Sequence, residues 1–203
     1  MRVTLLYILL SFSIQAQNGV LILGNVGSFC FTSDSAFTVS DTLPLEIDKY
    51  STIMLFSSSR SNLEKGDIDQ LLSYINKGGG LYLGAENKPL QAESNQITSR
   101  LYNKVSYGDF DADTAECAQD GNLGLKSLEE IPAGNSIVAF PLDHRLTVEA
   151  WVEDEPLILS GEIGTGKIVI DGGYSRFYCK NSTDQSEILL EQIINFLNSE
   201  GGN

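Results

Sequence analysis

The segment from Thr52 to Leu83 constrains the fold more than any other part of the chain. Thr52-Ile53-Met54-Leu55-Phe56 is a β-branched and apolar run, the pattern of a strand buried on both faces. It leads into Ser57-Ser58-Ser59-Arg60. Ser61 and Glu64 then form an S-x-x-E capping box, and Ile68, Leu71, Leu72 and Ile75 follow at i, i+3, i+4 and i+7, one apolar stripe along a helix. Gly78-Gly79-Gly80 predicts the end of that helix, because glycine takes the left-handed conformation at no steric cost. Leu81-Tyr82-Leu83 resumes as a strand, and Gly84-Ala85-Glu86-Asn87 turns off its end. Strand, helix and strand in this compass make a βαβ unit, which demands parallel strands and a right-handed crossover.

The remaining segments extend that unit. Val20-Leu21-Ile22-Leu23, closed by Gly24, predicts a further buried strand, and residues 25–50 are irregular with one edge strand around Phe37 to Val39. Ser94 is expected to cap a second helix running to about Val105, and residues 106–135 are acidic and weakly patterned, a long excursion. Ile137 to Phe140, Leu146 to Val152, Leu157 to Leu159 and Ile168 to Ile170 follow too closely for helices between them. They predict an antiparallel set joined to the parallel sheet. Ser182 to about Asn198 is a terminal helix with Ile188, Leu189, Ile193, Ile194 and Leu197 inward. The expected fold is α/β, a three-layer flavodoxin-like parallel sheet with an added antiparallel hairpin portion, in a single domain over residues 17–203.

Residues 1–16 fit a secretory signal peptide. Arg2 precedes an apolar stretch from Val3 to Ile14, 12 residues, and Ala16 offers a cleavage position. A spanning helix needs about 20 residues, so stable membrane insertion is not expected, and the mature chain is expected to be exported, periplasmic or extracellular. With 13 Lys+Arg against 27 Asp+Glu and a net charge of −14, the chain lacks the basic surface that nucleic-acid backbones and anionic membranes require. Cys30, Cys117 and Cys179 are too widely spaced for CxxC motifs. In an oxidising compartment one disulfide with a spare thiol is expected, any of the three pairings being open, beside the alternative of three unpaired thiols. A single histidine and no spaced ligand cluster leave no metal site, and no cofactor is expected.

Several motifs tempt a chemical reading. Gly161 to Lys167 spells G-x-x-x-x-G-K, yet Ile168 stands where a magnesium-binding hydroxyl belongs and the segment runs into a strand, so Gly164-Thr165-Gly166 predicts a hairpin turn. Gly24-Asn25-Val26-Gly27-Ser28 lacks dinucleotide-loop spacing. His144, beside Asp143, would have to serve as the base of any hydrolytic triad, and a surface-loop role suits it better. Asn181-Ser182-Thr183 matches a glycosylation sequon and also a helix cap.

The run from Tyr50 to Asn87 resembles the class I glutamine amidotransferase-like superfamily, closest to its non-catalytic branch of ThuA-like and GldG-type extracytoplasmic domains. The tail from Glu155 through Asp171 to the last helix resembles their closing hairpin and helix. The resemblance implies a catalytic cysteine on the elbow after Leu81-Tyr82-Leu83, where this chain has Gly84-Ala85-Glu86-Asn87. It also implies a His-Glu pair after the closing strand, where Asp171-Gly172-Gly173-Tyr174-Ser175-Arg176 stands. Amidotransferase chemistry therefore has no starting group. Open parallel sheets bind ligands at strand carboxyl ends, which makes Asn25, Ser57, Ser58, Arg60, Glu86, Asn87, Asp171, Tyr174 and Arg176 the candidate contacts. The expected function is an exported, non-catalytic binding or accessory domain of the cell envelope, meeting an envelope protein or a small polar ligand such as a carbohydrate. The alternative is a secreted hydrolase using Glu86, Asp171 and His144. A hydrolase should bring Glu86 and Asp171 together with one pKa raised; an accessory protein should expose an apolar patch there. Glu86, placed at the start of the next helix, is expected to have its pKa lowered by the helix's positive end.

Overall fold

Nine strands form one mixed sheet in the computed structural model, which describes residues 19–24, 26–30, 36–58 and 63–199. The expected signal peptide, Asn25, Arg60 and Ser61 lie outside the described residues. In chain order the elements are β1 (Val20–Gly24), β2 (Phe37–Ser40), β3 (Thr52–Phe56), α1 (Lys65–Asn76), β4 (Gly80–Gly84), α2 (Ala92–Tyr102), β5 (Tyr107–Phe110) and β6 (Thr114–Cys117). They continue as β7 (Glu130–Pro132), β8 (Ile137–Ala139), β9 (Leu146–Val152), β10 (Glu155–Ile163), β11 (Gly166–Asp171) and α3 (Asp184–Asn198). The sheet order is β2-β1-β3-β4-β11-β10-β9-β6-β7. Its first five strands run parallel, and β10, β9, β6 and β7 are added antiparallel from β11 outward.

The unbroken apolar runs arise because both faces of the parallel strands are covered. Leu21, Leu23, Ile53, Leu55, Leu81, Leu83, Ile168 and Ile170 pack with Ile68, Leu71 and Ile75 of α1 and Ile97 of α2. The alternate residues Ile22, Met54, Phe56, Tyr82 and Val169 pack on the other face with Leu189, Ile193 and Leu197 of α3. Three layers result, the flavodoxin-like α/β arrangement that the periodicity predicts.

The glycine triplet acts by three separate constraints. Gly78 takes φ 109° just past Lys77 at the end of α1, a region that disfavours side chains. A Cβ on Gly79 would lie 2.2 Å from the Tyr74 ring, and one on Gly80 would lie 2.7 Å from the Leu197 Cβ, so the other two admit the packing of α1 and α3.

Other boundaries differ from expectation. α1 takes Glu64 as its N-cap, and the Glu64 N–H donates to the Asp67 carboxylate at 2.8 Å, which replaces the Ser61–Glu64 box one turn later. α2 starts after Gln91, so Ser94 lies inside its first turn, and it ends at Asn103 (φ 56°), short of Val105. Asn occupies the left-handed region more readily than most residues, which makes this stop local. The excursion at 106–135 contributes β6 and β7 to the far edge of the main sheet, their runs too short for a readable period. Ile137 to Ala139 leaves the main sheet and pairs with β5. In α3, Ile188 is 40% exposed and Leu190 is buried instead, a rotation of the expected stripe, while Thr183 caps the helix by accepting the Ser186 N–H.

Candidate functional site

Register aligns the carboxyl ends of four parallel strands in one row: Gly24 beside Phe56, Phe56 beside Gly84, and Gly84 beside Asp171. The strand order reverses between β2 and β3 on either side of β1, the place where open sheets hold ligands. Among the described residues the crevice there, between Leu23, Gly24, Leu55 and Glu93, holds only about 20 Å³. That is room for about one water, which needs roughly 10–15 Å³ on the same measure, and far too little for a ligand.

A closed polar network fills the row at β4 and β11 instead. Asp171 and Arg176 are both fully buried, and the Arg176 Nη2 donates to the Asp171 Oδ1 at 3.1 Å. Arg176 also donates from Nη2 to the Ala133 carbonyl at 2.7 Å and from Nε to the Gly173 carbonyl at 2.9 Å, which ties the end of β7 to the end of β11. Its Nη1 is buried with no hydrogen-bond partner. Asp171 further accepts the Gly173 N–H at 2.9 Å and the Tyr82 hydroxyl at 2.8 Å. Two buried charges are tolerated only when each is paired and its remaining hydrogen-bonding capacity is largely met, and this pair comes near to that condition. The tight approach explains Gly172-Gly173: a Cβ on Gly172 would sit 1.8 Å from the Val138 carbonyl oxygen, and one on Gly173 2.1 Å from that of Ala133.

Glu86 closes the network from the elbow. It is 3% exposed, and its Oε1 accepts the Ser175 N–H at 2.8 Å. Burial pushes its carboxyl above the usual range, with hydrogen bonds from Ser175 pulling the other way and Asp171 adding to the rise. This corrects the lowered pKa expected from a helix start: α2 begins only at Ala92, after a turn in which the Glu86 N–H donates to the Leu90 carbonyl, so desolvation outweighs any helix dipole. Burial also drives the Tyr82 hydroxyl well above its ordinary pKa, so it stays a donor to Asp171.

The predicted contact residues therefore separate into groups. Ser57 bonds inward, its Oγ to the Ser94 Oγ at 2.8 Å and its carbonyl accepting the Tyr174 hydroxyl at 2.8 Å. Ser58 donates to the Glu93 carboxylate from both its N–H and its hydroxyl. Glu86, Asp171, Tyr174 and Arg176 come together, but buried among themselves. Asn87 stands apart, donating to Asp109 at 3.1 Å, and Asn25 and Arg60 lie outside the described residues. Sequence reading missed Tyr82, Ser94, Ser175 and Glu93, the partners of Asp171, Ser57, Glu86 and Ser58. Tyr82 sat in an apolar run, and only its period on the α3 face marked it out.

His144 is not part of this group. Its side chain is 89% exposed, with Nδ1 3.7 Å from the Asp143 Oδ1. Leu146 is level with Gly161, and Gly161 with Ile168, three residues before Asp171. His144 lies in the turn that opens β9, two residues before Leu146 and so on the far side of Ile168 from Asp171. Asp143 instead holds Arg145, whose hydrogen bonds keep its carboxyl well below the usual range. Among the described residues the exposed large apolar side chains, Val39, Leu45, Val105, Tyr107, Leu142 and Ile188, do not cluster at the ends of β1, β3, β4 or β11. Gly164-Thr165 is the turn of the β10–β11 hairpin, with Ile163 paired to Gly166.

Cys30 and Cys179 form a disulfide with Cα atoms 5.1 Å apart, and Cys117 is free and buried. The bridge joins the segment after β1 to the segment after β11, beside the Phe29–Tyr178 bridge. Among the described residues no helix is long and apolar enough to cross a membrane.

Sheet order and three layers define an α/β protein of flavodoxin-like architecture. Solved structures share it. Cytoplasmic protein STM3548 from Salmonella typhimurium superposes with a TM-score of 0.61 at 13% identity, covering 88% of this chain and 98% of that one. A ThuA-like protein from Bacteroides uniformis gives 0.59 at 10% identity, over 90% of this chain and 92% of the other. A β-galactosidase from Bacillus circulans gives 0.60 at 8% identity, over 92% of this chain but only 32% of the enzyme. At such identities the likeness is one of fold. No protein-family model and no curated protein matches the chain.

Proposed function

We propose that the chain is an exported, non-catalytic binding or accessory protein of the cell envelope, of the non-catalytic ThuA-like kind, whose partner is an envelope protein or a small polar ligand such as a carbohydrate. The observation that carries this reading is Glu86: at the elbow where catalytic relatives hold a nucleophile, this chain has a carboxylate buried to 3% exposure and bonded to Ser175. The groups around it, Asp171, Arg176 and Tyr82, bond one another. The Cys30–Cys179 disulfide and the short apolar leader sequence support an oxidising compartment.

A hydrolase is the second reading, favoured by both features set to separate the two: Glu86 and Asp171 bond the same turn from Gly173 to Arg176 with the Glu86 carboxyl raised, and among the described residues no apolar patch is exposed at that edge. Its base, however, would have to come from elsewhere than His144. One experiment separates the two. Purified chain is assayed against panels of glycoside, ester and peptide substrates, in parallel with Glu86→Gln. No turnover above blank is expected from either; turnover that vanishes in Glu86→Gln overturns the non-catalytic reading.

A further inference from the structure

The Cys30–Cys179 bridge has two unequal ends. Cys179 sits on an anchored arm. The Tyr178 N–H donates to the Ser175 carbonyl at 3.1 Å, the Asn181 N–H to the Tyr178 carbonyl at 2.8 Å, and the Asn181 Nδ2 to the Ser175 carbonyl at 2.8 Å. Cys30 ends a strap, residues 26–30, that lies outside the named strands and helices. The strap meets the arm through the isolated Phe29–Tyr178 bridge and through the Cys179 N–H, which donates to the Ser28 carbonyl at 2.8 Å. Gly24 at its root has φ 97°, and Gly27 is exposed with open space where a Cβ would stand. Glycine leaves the backbone free to turn at both places.

The strap covers the carboxyl end of β3. The Phe29 ring is 5% exposed and lies 4.6 Å from the ring of Phe56, 5.1 Å from Tyr178 and 6.2 Å from Tyr174. Strand ends of this kind of sheet are where ligands bind, and here an aromatic floor is hidden under a segment tied down by a disulfide. The tie is open to attack. Cys30 and Cys179 are both exposed, and exposed disulfides exchange with thiols more readily than buried ones. Cys117 is buried, so it stays out of the exchange. A cavity of about 260 Å³ adjoins Cys30 between Phe177 and Leu190, and among the described residues its lining includes Cys30 but not Cys179. That places an incoming thiol against the Cys30 sulfur.

We propose that the Cys30–Cys179 disulfide is a redox latch: reduction by a dithiol frees residues 26–30 from the carboxyl end of β3 and uncovers Phe56, Tyr174 and Tyr178 while the sheet stays folded. One thiolate of the dithiol attacks the Cys30 Sγ, the Cys30–Cys179 bond breaks, and Cys179 leaves as a thiolate that takes up a proton. The second thiol of the reductant then displaces Cys30 from the mixed disulfide. Two electrons and two protons pass to the protein, and the dithiol departs as a disulfide. The anchored arm stays in place, so the strap is the part that moves. Local opening of this sort needs less free energy than global unfolding. The latch deepens the binding role proposed above, since it says when the carboxyl edge is open, and rests on it only for what would enter.

The purified full chain is treated with excess dithiothreitol in native buffer, alkylated and weighed intact. Hydrogen exchange is then followed by mass spectrometry in the oxidised chain, the reduced chain and the Cys30→Ser/Cys179→Ser double variant. Two alkylated cysteines, Cys30 and Cys179, are expected without denaturant. Peptides covering residues 26–30 should exchange at least tenfold faster in the reduced chain and in the double variant, at times when β3 and β4 are still protected. A bridge that yields only in denaturant, a strap that exchanges alike in all three forms, or a strap and sheet that exchange together overturns the proposal. The measurement involves no ligand and no substrate, so turnover in the Glu86 assay leaves it untouched and the two readings fail separately.

Discussion

At the scale of single residues, the chain's chemistry is decided by what surrounds each charge. Glu86 and Asp143 are both carboxylates, yet burial raises the first and the hydrogen bonds of Arg145 lower the second. The raised group has a consequence for stability with a definite sign. A carboxyl whose folded pKa exceeds its unfolded value binds protons more tightly when folded. It favours the fold fully below the unfolded pKa of about 4.3 and loses that contribution as pH rises through the folded value. Glu86→Gln keeps an acceptor for the Ser175 N–H without the buried charge. Parent and variant should therefore melt alike near pH 3.5, with the variant gaining on the parent as pH rises towards 7. Melting curves at half-unit pH steps test this, and a difference that is flat or reversed would falsify the assignment of desolvation as the dominant effect.

At the scale of elements, the carboxyl edge of the sheet is held by connections that strands alone do not provide. Cys30 and Cys179 are 149 residues apart in sequence, and their bridge fastens the segment after β1 to that after β11. Closing so long a loop removes much entropy from the unfolded chain, so the Cys30→Ser/Cys179→Ser double variant should lose about 2–5 kcal/mol of stability. Urea unfolding at equilibrium measures it, and an unchanged midpoint would show the bridge to be dispensable. Cys117 does not offer a replacement partner: it is buried, and burial pushes its thiol pKa up to about 11, so little reactive thiolate is present at neutral pH.

At the scale of the whole molecule, the reading that most needs an independent measurement is export. Intact mass of the chain recovered from a secreting host should correspond to loss of residues 1–16, so that it begins at Gln17; a retained Met1 would sink the proposal. What the sequence determined by itself was whatever depends on neighbours in the chain. The βαβ unit, the glycine stop after α1, the hairpin at Gly164-Thr165 and the strand ending at Asp171 are set by period, by turn chemistry and by the steric freedom of glycine, all local quantities. The carboxyl-edge residues Glu86, Asp171, Tyr174 and Arg176 were legible as a group because sheet topology alone brings strand ends together. Their meaning was not: whether four polar side chains face a ligand or one another depends on burial, and part of that burial comes from Ala133, contributed by an excursion with no readable period. The same cause hid the pairing of β6 with β9, since β6 is a four-residue strand that only contact across the chain defines. Tertiary structure decided these points because a contact between distant segments leaves no periodic trace in either one.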